Sequence, residues 1–134
     1  MAERISSLLR QSIGHLADEA PDSYRIVLDT IGSLVVGLDI DGECFSLSGG
    51  RRLEVTEGLD PKAGARVKAS RGTVLDVLDA VITLDHAVET SALTVHGTLD
   101  DILRAHDTLT AYVHAAVRAP SQPGLLNALR ADRE

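Results

Sequence analysis

Residues 33–49 read SLVVGLDIDGECFSLSG, and the fold follows from how that text is parsed. Leu34, Val36, Leu38 and Ile40 alternate with Ser33, Val35, Gly37 and Asp39, the period-two pattern of a strand that buries one face. Asp41-Gly42 follows at once, a dipeptide favoured in tight hairpin turns because both residues tolerate positive φ. ECFSLSG (43–49) is then a return strand, and a glycine pair leads into RRLEVTE (51–57). The simplest parse is an antiparallel meander.

Upstream, residues 3–20 set Ile5, Leu8, Leu9, Ile13, Leu16, Ala17 and Ala20 at the three-and-four spacing of one helical face, the mark of an amphipathic helix. Pro21-Asp22-Ser23 interrupts it, and the β-branched run from Arg25 to Ile31 reads as a first strand. Downstream, ARVKAS (65–70) is a short strand. Ser70 caps a helix whose apolar face is Val74, Leu75, Val77, Leu78, Val81 and Ile82. TLDHAVETS (83–91) supports one irregular helical turn, and ALTVH (92–96) is a strand that ends at Gly97. Thr98 caps the next helix, with Asp100 and Asp101 in its first turn where their charge suits the helix dipole. That helix runs to Arg118 and stops before Pro120. PSQPG is a linker, and LLNALRADRE forms a last short helix with Leu125, Leu126 and Leu129 placed to dock.

This order predicts an α+β fold: a roughly five-stranded, mainly antiparallel sheet covered on one face by helices, a layer that can part from the sheet and leave an apolar cavity. The 134 residues fit one domain, 1–134. Its core must be aliphatic, because the chain has no Trp, one Phe (Phe45) and two Tyr.

A net charge of −7, with no basic stripe interleaved with aromatics, argues against nucleic acid as a partner. No apolar run approaches the roughly 20 residues of a membrane span. The single cysteine, Cys44, cannot pair within the chain, and MAERISSLLRQS lacks the apolar core of a signal peptide, so a cytoplasmic location is expected.

Few residues suggest chemistry. Gly97-Thr98 could offer backbone N–H groups to an anion, but Asp100 and Asp101 would repel it and no lysine stands near; a plain capped turn is the better reading. His106 falls near the centre of a stripe made of Leu99, Ile102, Leu103, Leu109, Val113 and Val117, which predicts a ring pointing at the sheet. It is read either as a buried, hydrogen-bonded imidazole or as a polar group meeting a ligand or serving as acid or base. His106 and His114 are eight residues apart, about 12 Å along a helix, too far to share an ion. No metal and no cofactor are expected, and Cys44 reads as a small packed residue.

Three stretches together resemble the sterol carrier protein type 2 (sterol-binding domain) family. IGSLVVGLDIDGECFSLSGGRRLEVTEG is similar to its opening meander, ARVKASRGTVLDVLDAV to its strand and middle helix, and ALTVHGTLDDILRAHDTL to its closing strand, glycine and helix. The likeness runs from about Ile31 to Leu109, and rests on the colinear set rather than on one motif. It implies helices over a five-stranded sheet, with an apolar tunnel for a fatty acid, acyl-CoA, sterol or polyketide-like molecule. The expected tunnel wall is Leu34, Val36, Phe45, Leu47, Leu53, Val55, Leu78, Ile82, Leu93, Val95, Leu103, His106, Leu109 and Val113, with residues 121–134 as a lid helix.

On that reading the protein is a non-catalytic carrier of a hydrophobic small molecule. The alternative is a cyclase- or isomerase-like enzyme that folds a hydrophobic natural-product intermediate in the same cavity, with His106 as its acid or base. A module that binds a partner through a sheet edge or its terminal helix is a third reading, and a homodimer is compatible with each.

Overall fold

The hairpin forms where the alternation and the Asp41-Gly42 turn place it. In the computed structural model, which describes residues 4–131 with side chains to 128, β1 (Val35–Ile40) pairs antiparallel with β2 (Glu43–Ser48). Asp41 and Gly42 both take positive φ, 53° and 86°, and the Gly42 N–H donates to Asp39 Oδ1 at 2.9 Å. β2 continues the meander into β3 (Glu54–Glu57). The chain then crosses to the other side of β1, where β4 (Ala65–Ala69) pairs with it in parallel, and β5 (Leu93–Gly97) closes the sheet antiparallel to β4. The strand order is β3-β2-β1-β4-β5.

The crossing loop runs over the uncovered face of the sheet. Ser46 Oγ donates to the Gly58 carbonyl at 2.8 Å and accepts from the Asp60 N–H at 2.9 Å. Gly37 gives it room, since a Cβ there would stand 3.0 Å from Leu59 Cδ2. Elsewhere this face is polar, with Arg66, Lys68 and His96 exposed.

Helices cover the opposite face, which carries Val36, Leu38, Ile40, Phe45, Leu47, Val55, Ala65, Val67, Ala69 and Leu93, all buried. They are α1 (Ile5–Glu19), α2 (Pro21–Ile31), α3 (Arg71–Leu78), α4 (Leu84–Glu89), α5 (Leu99–Arg118) and α6 (Gln122–Ala131). Ser70, Thr83 and Thr98 each cap the helix that follows, accepting from the N–H three residues on.

One element changes type relative to the sequence reading, and two helix bounds move: α3 ends at Leu78, leaving Val81 exposed beyond it, and α6 begins at Gln122 within the expected linker. The segment Arg25–Ile31, expected as a strand, is the body of α2. Its β-branched residues favour a strand locally, but Tyr24, Val27, Leu28 and Ile31 also stand at helical i, i+3, i+4 and i+7, with Pro21 at the first helical position. Contact with α5 along its length buries Val27 and Ile31 to 1% and 0% exposure, and tertiary packing overrides the propensity. Residues 83–91, expected as a helical turn, contain α4. Leu129 lies outside the residues whose side chains are described.

Candidate functional site

Between the sheet and the helices lies a cavity of about 110 Å³. α1 supplies Ile5, Leu8 and Leu9 from one face, and the sheet contributes Leu38, Ile40, Phe45, Leu47, Val67 and Leu93. Val74, Val77 and Leu78 of α3 and Leu84 of α4 close one side. Thr108, Leu109, Tyr112 and Val113 of α5, with Leu125 of α6, complete the wall.

Among the described lining residues only Thr108 and Tyr112 carry polar side-chain atoms, and both hydroxyls are engaged. Thr108 donates to the Arg104 carbonyl one turn back at 2.7 Å. The Tyr112 hydroxyl lies 2.7 Å from Ser12 Oγ, tying α5 to α1. Burial pushes the Tyr112 phenol up to about 12, against a smaller opposing effect of the Ser12 hydrogen bond, so it keeps its proton at neutral pH. The wall therefore presents hydrocarbon to the cavity.

A polar clamp fixes the first turn of α1, and with it part of that wall. The Glu43 carboxylate accepts the N–H groups of Ile5 at 3.0 Å and Ser6 at 2.8 Å, serving as a cap from a distant strand. Ser6 Oγ donates to Glu57 at 2.8 Å, and Arg4 bridges Glu43 and Glu57 at 3.6 and 3.1 Å. Burial pushes the Glu43 carboxyl up, but the Ser6 and Ile5 N–H groups, the Ser6 hydroxyl and the Arg4 charge together outweigh it, leaving the group below its ordinary value.

Of the expected wall residues, Phe45, Leu47, Leu78, Leu93, Leu109 and Val113 line the cavity. Leu34, Val36, Leu53 and Val55 are buried elsewhere in the core, and Ile82 and Val95 pack at its margin. Leu103 and His106 depart from the expectation. Leu103 is 55% exposed, and the His106 ring sits outside the cavity, its Nε2 2.7 Å from Asp85 Oδ1 of α4.

The expected stripe on α5 is rotated from the true face: Leu109 and Val113 on it do line the cavity, whereas Leu99 and Leu103 at its N-terminal end are exposed. The buried side is built on Ala105, Thr108, Ala115 and Ala116, small residues that let α5 approach its neighbours closely, together with the larger Tyr112, while Leu99 and Leu103 are 71% and 55% exposed. The signal for the true face was this row of small residues at helical spacing beside Leu109 and Tyr112. The α1 contribution was legible as an amphipathic face, but nothing local assigns it to a cavity.

No family model and no curated protein matches the chain. Solved structures do. It is similar to the apo form of sterol carrier protein 2 from Yarrowia lipolytica, at 14% identity and a TM-score of 0.57 over 85% of this chain and 90% of that one. A second sterol carrier protein 2 structure matches at 13% identity and a TM-score of 0.55, over 84% of this chain and 95% of the other. A ubiquinone synthesis protein, UbiJ-SCP2, matches at 15% identity and a TM-score of 0.52, over 78% and 96%. The chain has the sterol carrier protein 2 fold.

Proposed function

We infer that this protein binds a hydrophobic small molecule, without covalent chemistry, in the cavity between the sheet and α1, α3, α5 and α6. The observation that carries the reading is the hydrocarbon wall, in which both polar side chains already have partners. Burial of ligand surface at about 25 cal/mol per Å² supplies the driving force. The likeness in fold to sterol carriers supports the same reading, and fatty acids, acyl-CoA, sterols and polyketide-like chains are the ligand classes to test.

The cavity is smaller than such ligands need. At about 110 Å³ it falls below the roughly 300–1,000 Å³ of ordinary ligand pockets. Binding a long chain therefore requires a wall to move, and α6 is the element best placed to act as lid. It brings Leu125 to the cavity and is held by scattered contacts: Gln122 to the Leu78 carbonyl at 2.7 Å, the Ser121 N–H to Glu19 at 3.1 Å, and Arg71 to the Ala128 carbonyl at 3.4 Å.

Native mass spectrometry and displacement of a fluorescent fatty acid test the proposal. Uptake by the wild-type chain is expected, and Leu109→Trp, which fills the cavity, should weaken it by about tenfold or more. Failure to take up fatty acid, acyl-CoA or sterol in both measurements rules the reading out. The enzymatic alternative needs an acid or base on the wall, and the histidine that motivated it lies outside.

A further inference from the structure

Leu99 and Leu103 are large apolar side chains left 71% and 55% exposed on the longest helix. Together with His106 they stand at i, i+4 and i+7, on one stripe. The bond from His106 to Asp85 places that stripe on the side of α5 that faces α4, and both α4 and α5 pack against β5. α4 is short and meets α5 at His106. In the two turns before that contact, Leu99 and Leu103 stay exposed. Val88, one turn along α4 from Asp85, adds a third apolar side chain at 38% exposure.

β5 is the last strand of the sheet on this side. Apart from its ladder to β4, no backbone hydrogen bond among the described residues reaches 93–97. Its text, LTVHG, contains no Lys, Asp, Glu or Pro, so it lacks the charges and proline by which edge strands resist pairing. At the other edge β3 reads EVTE, with two glutamates.

We propose that the β5 edge, flanked by Leu99 and Leu103, is a self-association surface on which a second copy of this chain adds its own β5 antiparallel, extending the sheet across a twofold axis. The strand is self-complementary: with Val95 on the axis, Thr94 faces the partner's His96 and Leu93 faces the partner's Gly97, and no two like charges oppose each other. Five residues of main-chain pairing bury too little to hold a dimer. The leucines of both copies supply the remaining apolar area.

The test is the mass of the full chain by light scattering from micromolar to millimolar concentration, with hydrogen exchange at matched concentrations. A dimer is expected, with amides of 93–97 more protected as concentration rises. Leu99→Glu with Leu103→Glu should weaken association by about tenfold or more. Ile26→Glu, a control on α2 whose residue is 59% exposed, should leave it unchanged. A chain that stays monomeric at every concentration overturns the proposal, even if a foreign peptide strand binds β5. So does a dimer that survives the double substitution, or one that Ile26→Glu abolishes.

Discussion

The two edges of the sheet are finished in opposite ways. At β3, helices reach over and occupy the free backbone: Arg10 donates to the Val55 carbonyl at 2.9 Å, and the Tyr24 hydroxyl accepts the Leu53 N–H at 2.8 Å. Glu43 and Glu57 then bind the first turn of α1 to the same end of the sheet. At β5 no such bonds exist among the described residues, and the neighbouring helix shows leucine to solvent. An edge strand must be covered, charged or paired. β3 is covered and charged, whereas on the proposal above β5 is paired with a second copy.

The closed edge also bears on the cavity. Ile5, Leu8 and Leu9 line it from α1, and α1 is fixed twice, by Glu43 at its start and by the Ser12 bond to Tyr112 further along. On the proposed function, expansion for a ligand would fall to the α6 side. Breaking the clamp should have the largest effect on the fold. Glu43→Ala leaves two N–H groups of α1 without their acceptor and should cost about 2–3 kcal/mol in urea unfolding.

Acid should do the same more gradually. The folded-state pKa of Glu43 is lowered, so its contribution is fully present above the ordinary glutamate value, about 4.3, and is lost as pH falls through the folded value. Glu43→Gln should flatten that acid limb of the stability profile. An unchanged limb would show that the clamp does not hold α1.

A smaller loss is expected from Tyr24→Phe, which removes the acceptor of the Leu53 N–H at the covered edge. About 1 kcal/mol is the expected cost, with faster exchange of the Leu53 amide and unchanged lipid uptake. If that amide exchanges no faster, β3 is not closed by α2 and the contrast between edges loses one of its two bonds.

How far these features could be read in the sequence depends on the range of the forces behind them. The hairpin at 33–49 was legible because alternation and turn chemistry are local. The helix at Pro21–Ile31 was not, because Ile26, Val27, Thr30 and Ile31 satisfy a strand and a helix equally, and only contact with α5 decides. In the cavity, Leu109 and Val113 were visible as apolar, whereas Thr108 and Tyr112 were hidden by the louder Leu99–Leu103 stripe. Glu43 as a cap for Ile5 and Ser6 was beyond reach, since the partners lie 38 and 37 residues apart.

The smallest predicted effect tests the open edge itself. If Leu99 and Leu103 are bare in the single chain, replacing both by serine removes no buried area, and unfolding at dilute concentration should shift by no more than about 0.5 kcal/mol. Leu109→Ala, on the stripe that does face the cavity, should cost about 2 kcal/mol under the same conditions. Two leucines against one, with the larger loss from the one, is the result that a packed inner side and a bare outer side of α5 require. Equal losses would mean that the β5 side is packed within a single chain, and the reason for a partner there would be gone.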